Sequence, residues 1–297
     1  MHYPSYSIAI RTLGTSGDKL RRELESIAVQ TVAPDKVMVY IAEGYTRPDF
    51  TVGKEKYIWV KKGMMAQRIL PYDEIGSDCI LMLDDDVALA QDSAEKLLKA
   101  MVENGADFVG ADIFRNHKMP FKTKFVAAMT DLVFPHCGRK WAFKVCRNGS
   151  FSYNRKPEPR YYDTQSGAGP LQLWKKDVFK GLHLEDELWL DKFRFPYAED
   201  RLVTYKAYVN GYKTGILYNS GVENLDGGAA STSFRKSPEW LYTRIAASYM
   251  IWHRSLYRNG KDTAVSRFAA GISFGFKAIW QAIVMFGAAL VDGMFGL

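Results

Sequence analysis

The octapeptide Ile80-Leu81-Met82-Leu83-Asp84-Asp85-Asp86-Val87 constrains the fold more than any other stretch, because four apolar residues run directly into three consecutive carboxylates. A short apolar run ending in turn-type residues reads as a strand buried on both faces, as in a parallel sheet covered by helices. Ligands of such sheets lie at the carboxyl ends of the strands. Three adjacent acids repel one another, so placing them at the mouth of a core strand calls for a cation. Mg2+ or Mn2+, held by one or two carboxylates plus substrate phosphates, suits them. The alternative use of an acidic triplet is a solvated loop or helix cap, and the rest of the chain bears on the choice.

Residues 7–10 form a short apolar strand, a turn follows at Gly14, Ser16 and Gly17, and Leu20, Leu24, Ile27 and Ala28 recur at helical spacing. Strands are predicted at 37–41, closed by Glu43-Gly44, at 56–60, and into Asp84. Asp92 and Glu95 stand at capping-box spacing, Leu97, Leu98, Met101 and Val102 form a stripe, and Gly105 suits a C-cap before a strand over 107–113. Alternation of strands and helices predicts an α/β fold with a mainly parallel sheet. Residues 114–169 read as loops and short antiparallel strands, 171–181 as a strand and helix, and 186–197 as a loop. Glu199-Asp200 opens a helix with Leu202, Tyr205 and Val209 on one face and Gly211 at its end, before a last strand over 215–218.

Hydrophobic residues make up 47% and charged residues 25% of the 297, the balance of a globular protein. Cys79 falls in the predicted core strand, and with Cys137 and Cys146 the count is odd, so a disulfide framework is not expected and a reducing cytoplasm is. Residues 1–6 lack the pattern of a signal peptide. His2, His117, His136, His183 and His253 are scattered without zinc-ligand spacing. From Arg235 to Lys277 the chain carries eight Lys/Arg against Glu239 and Asp262, a net +6, so most of the overall +7 sits in the last quarter.

Thr12 at the end of the first strand, Glu43-Gly44 after the second, Arg68 sixteen residues before Asp84, the Asp84-x-Asp86 pair and Glu199-Asp200 opening a helix come in one order. That order, across roughly residues 5 to 225, resembles family-2 glycosyltransferases of the GT-A fold, which use nucleotide-sugar donors and invert configuration. The family usually has Asp-Asp-Gly where this chain has Ala42-Glu43-Gly44. The resemblance implies a Rossmann-like nucleotide-binding sheet with helices on both faces. It implies Mg2+ or Mn2+ at Asp84 and Asp86, donor contacts from Thr12, Glu43, Arg68, Asp84 and Asp85, and catalysis at Asp200 with Glu199 beside it. A metal there would neutralise the diphosphate leaving group, and Arg68 would add a charge-assisted contact to the phosphates or the acids. Asp200 would take the acceptor's proton, its anion favoured by the helix dipole and therefore ionised at pH 7. Trp174, Trp189, Phe193, Phe195 and Tyr197 precede the pair, and Trp189, beside Asp186, Glu187 and Asp191, is the aromatic face best placed for a sugar ring.

The expected organisation is a catalytic unit over 1–234, with a nucleotide-sugar half (1–113) and an acceptor half (114–234), and a basic, apolar helical tail over 235–297. The tail holds Ile272, Phe274, Phe276, Ile279, Trp280, Ile283, Val284, Met285, Phe286, Leu290 and Val291, broken by Lys277, Gln281 and Asp292. Lys277 and Gln281 disfavour a span, whereas an amphipathic helix lying on an anionic membrane, preceded by its basic segment, fits. A core helix or a homo-oligomer contact is the alternative. The tail's ending, 287–296, also resembles those of family members acting on lipid-linked glycans. The chain is therefore expected on the cytoplasmic face of the cell membrane. There it would transfer sugar to a saccharide or lipid-linked glycan acceptor in surface-polysaccharide synthesis, with no nucleic-acid partner. A sugar-1-phosphate nucleotidyltransferase shares acidic metal sites but usually opens on a longer Gly-rich loop than 11–17, and a catalytically inactive membrane scaffold would not need Asp84, Asp86 and Asp200.

Overall fold

The computed structural model describes residues 2–113, 140–145, 149, 151–154, 157–194, 196, 198–225, 238–257 and 263–295. In chain order its elements are β1 (Tyr6–Thr12), α1 (Asp18–Ala28), β2 (Val37–Ala42), β3 (Lys56–Val60), β4 (Cys79–Asp84), β5 (Val87–Leu89), α2 (Ser93–Asn104) and β6 (Phe108–Ala111). Then follow β7 (Phe143–Val145), β8 (Phe151–Tyr153), β9 (Tyr161–Asp163), β10 (Leu171–Lys175), α3 (Lys176–Lys180), a 3-10 helix (Leu184–Lys192) and α4 (Glu199–Val209). The chain continues through β11 (Thr214–Leu217), β12 (Val222–Asn224), α5 (Pro238–Ile251), a π-helical turn (Trp252–Tyr257) and α6 (Ala264–Phe295).

Eight strands form one sheet in the order β3-β2-β1-β4-β10-β6-β11-β9. The first four are parallel, β10 runs antiparallel to both β4 and β6, β6 and β11 are parallel, and β9 is antiparallel to β11. The sheet is buried on both faces because its central strands carry no alternation. Ile8, Ile10, Leu81 and Leu83 join one core with Leu20, Leu24 and Ile27 of α1 and Leu97, Leu98 and Met101 of α2. Ala9, Ile80 and Met82 join a second with Met65, Tyr72, Phe179, Leu190, Val203 and Ala247. The register pairs Arg11 with Asp84 and Thr12 with Ile41, so the carboxyl ends of β1, β2 and β4 come level.

Local expectations met the structure unevenly. Gly105 closes α2 in the left-handed region at φ 58°. The expected capping box at Asp92 does not form: Asp92 pairs with Lys96 at 2.9 Å and Glu95 accepts from Thr31 at 2.9 Å. The 3-10 helix takes in residues 186–192 of the loop expected over 186–197, and the three-residue β5 after the acids, paired with β12, was too short to show a period. The α5 helix, within the stretch expected as the tail from 235, packs onto the α/β body, with Ala247 at 0%, Thr243 at 2% and Ile251 at 3% exposure. His117, His136, Cys137, Cys146, Phe195, Tyr197, Arg235, Lys236, Arg258 and Lys261, and all of 114–139, lie outside the described residues.

Candidate active site

The acids left by β4 do not stand alone, because β1 ends beside them with Arg11. Its Nε donates to Asp84 Oδ1, and Nη2 donates to Glu199 Oε1 at 3.3 Å. Arg68, 1% exposed, donates through Nη2 to the same Glu199 oxygen at 3.2 Å and through Nη1 to Gln172 Oε1 at 2.8 Å. Gly169 lies under this cluster, where a Cβ would come within 3.3 Å of Glu199 Oε1. Arg11 thus joins the acidic triplet to the Glu199-Asp200 pair, more than a hundred positions apart, while Arg68 braces the same Glu199 oxygen. The sequence reading missed Arg11, whose signal was a charged residue inside the apolar first strand.

The remaining site residues take places that only partly match expectation. Thr12, 4% exposed, donates to Asp85 Oδ2 and accepts from the Gly14 amide at 2.7 Å. Ser16 also donates to Asp85 Oδ2. Thr12 and Asp85 therefore hold the β1–α1 loop against the β4–β5 turn. Arg68 lies inside the body and braces Glu199, the contact to acids rather than to phosphates. Glu43 is exposed just past β2, with its amide bonded to Val60 at 2.8 Å. Asp191, one of the acids beside Trp189 in sequence, accepts the Met65 and Ala66 amides at 2.8 Å each and so pins the turn that leads into Arg68. Trp189 donates to buried Glu187 at 2.6 Å, and the Arg254 guanidinium covers its ring at 5.9 Å, so this face is not open to a sugar. Trp174 is wholly buried against Phe108.

Charge divides the carboxylates. Burial opposes ionisation of Asp84, but Arg11 and Arg68 outweigh it and hold its carboxyl below the usual range. Burial lowers the pKa of Arg68, helped by Arg11; in Arg11 itself Asp84 and Glu199 overcome burial and raise it. Asp86 is pushed up to about 6, by burial first and then by Asp84 and Asp85, and its Oδ1 is buried with no hydrogen-bond partner. Glu23 of α1, wholly buried, is raised well above a normal glutamate by burial, Asp85 and Asp84. Asp200 is also pushed up to about 6, by burial and then Glu199, against Arg201 and Arg68. The helix dipole therefore does not dominate at Asp200, contrary to expectation, although a carboxyl at about 6 is still mostly ionised at pH 7. The residue before the pair, Ala198, holds φ 61°, a left-handed conformation uncommon outside glycine and of the kind found at functional turns.

No protein-family model matches the sequence, and neither does any curated protein. Solved structures do match. GalNAc-T7 with UDP, GalNAc and Mn2+ superposes with a TM-score of 0.55 at 12% identity over 89% of this chain. TarS 1-349 of S. aureus gives 0.52 at 12% identity over 91% of this chain and 70% of its own, and its complex with UDP gives 0.51. The fold is that of the GT-A glycosyltransferases. The chain spans 53% of the GalNAc-T7 chain, about half its length.

Proposed function

We propose that the protein transfers a sugar from a nucleotide-sugar donor to a hydroxyl of a saccharide or lipid-linked glycan, with inversion, in the synthesis of a cell-surface polysaccharide. The observation that carries this reading is Arg11, which ties Asp84 of the acidic triplet to Glu199 of the base pair and so makes one site of two motifs. Asp200 accepts the acceptor hydroxyl's proton while that oxygen bonds the anomeric carbon and the bond to the nucleoside diphosphate breaks. Glu199, clamped by two arginines, fixes the turn that aims Asp200. The donor set fits a hard divalent cation, for Asp86 has a buried, unpartnered oxygen and excess negative charge around it. Asp86 would hold Mg2+ or Mn2+, with Asp84, already bonded to Arg11, as the weaker partner. Such an ion would neutralise charge on the leaving diphosphate. UDP is the donor nucleotide to try first, because two of the similar folds were solved with it.

The helix α6 supports a membrane-surface location. Val265, Phe268, Ile272, Phe276, Ile279, Ile283 and Phe286 fall along one stripe and are 47–78% exposed, while Ala270 is buried and Phe274 stacks on Trp252 at 5.1 Å. The apolar face thus points away from the protein over about 32 Å of helix, which suits burial in a headgroup layer rather than in the protein's own core. Among the described residues no helix is long and apolar enough to cross a membrane. Calorimetry of UDP with Mn2+ and with chelator tests the site: tight binding lost on chelation and in Asp86→Asn is expected, and equal affinity in all three conditions would overturn the metal assignment.

A further inference from the structure

Glu23 is an acid in a position made for an aliphatic residue. It occupies the sheet-facing stripe of α1 with Leu20, Leu24 and Ile27, and its exposure is 0%. Neither carboxylate oxygen has a hydrogen-bond partner; the Val87 amide lies close enough to favour the anion without reaching bonding geometry. The charges it meets are those of Asp85, Asp84 and Asp86, in that order, all of its own sign. The α1 helix is fastened to the strand after the triplet, with the Leu89 amide bonded to Ser26 Oγ at 3.1 Å, so the helix that carries Glu23 is fixed beside the acids. Asp86 Oδ1, on the other element, is likewise buried and unpartnered. A buried acid in such surroundings stays protonated unless enough positive charge shares the site, and Lys19 offsets the charge at Asp86 only in part. Arg11 is committed to Asp84 and Glu199.

We propose that Glu23 belongs to the divalent-cation site of the acidic triplet, a fourth carboxyl group that ionises when the cation binds and raises its affinity from the α1 side. The inference rests on the reading of Asp86 as the cation's carboxylate. Among the described residues no three His, Cys, Asp or Glu side chains are gathered closely enough to enclose an ion, so Asp86 acts by contact and Glu23 by charge. The same acid would be a poor choice for a structural strut, since it makes no bond that removal would break.

Mn2+ titration of the full chain, followed by the electron paramagnetic resonance of the free ion, compares wild type with Glu23→Gln and Glu23→Leu, and melting without metal is recorded for each. Both variants are expected to hold Mn2+ about 10- to 100-fold more weakly, as is typical when outer groups of a metal site are removed. Their metal-free melting temperatures should be equal to wild type or higher. Wild-type affinity in either folded variant would overturn the proposal. So would weaker binding with a lowered metal-free melting temperature in both, the behaviour of a strut. A wild-type protein that binds UDP but retains no Mn2+ would remove the metal reading itself, and this inference with it.

Discussion

Turnover should fall in acid with a midpoint near pH 6, well above an ordinary aspartate, because the proposed base, Asp200, is a partly buried carboxyl beside a second one. Asp200 is raised to about 6 by burial and by Glu199, so about nine-tenths of it is ionised at pH 7 and about one-tenth at pH 5. The base works only when ionised, and kcat should therefore drop close to tenfold between those values. Asp86 is raised to a similar value, but saturating Mn2+ and donor confine its titration to KM, leaving kcat to report Asp200. Glu199→Gln removes the second cause of the shift and should move the kcat midpoint downward. Asp200→Asn should abolish the limb and lower turnover by roughly 100-fold or more. Linkage gives an independent check of sign. A carboxyl whose folded pKa lies above its unfolded value of 3.8 stabilises in its neutral form, and that stability is lost as pH rises through the interval up to about 6. Asp200→Asn should then gain stability at pH 7, by at most about 3 kcal/mol before solvent screening. A kcat midpoint near 4, or a midpoint indifferent to Glu199→Gln, would refute the assignment.

Arg68→Met leaves Glu199 with Arg11 alone and should destabilise by about 3 kcal/mol in urea unfolding, the low end for breaking a buried ion pair; no loss would mean that the pair is idle. Gly63→Ala puts a Cβ 2.3 Å from Asp191 Oδ2, which two amides hold in place, and should cost about 1–3 kcal/mol and lower the melting temperature. The full chain should sediment with anionic vesicles and be partly released by salt, whereas a chain ending at Lys261 stays soluble and binds nucleotide. Aggregation of the shortened chain would instead make α6 an integral packing element.

The strand into Asp84, the helix opened by Glu199-Asp200 and the parallel half of the sheet were legible because each writes its signal in local periodicity. What joins them is not local. Arg11 could be seen as a charge at the end of an apolar strand, yet nothing near it in sequence names Glu199 as its partner. Thr12 and Asp85 were read as ligand contacts, and they proved to bond each other because the register brings their strands level. Glu23 had a signal that went unread: it stands three residues after Leu20 and one before Leu24, on the buried stripe itself. Trp189 was singled out for the acids around it, and one of them, Glu187, with Arg254 drawn from the π-helical turn, is what closes it off.

The antiparallel strand β10 sets how this chain can be divided. The strands β4 and β6 both arise within the first 113 residues but are not neighbours, and the gap between them is filled by Leu171–Lys175. A fragment ending at 113 would therefore leave β4 with an open edge in mid-sheet and β6 with no neighbour on either side, since β11 also lies beyond it, and open edges of largely apolar strands are the surface most prone to pair with other copies. Residues 1–113 and 114–234 are therefore not expected to stay soluble when expressed apart, and during synthesis the open edge of β4 waits for some sixty further residues before β10 can cover it.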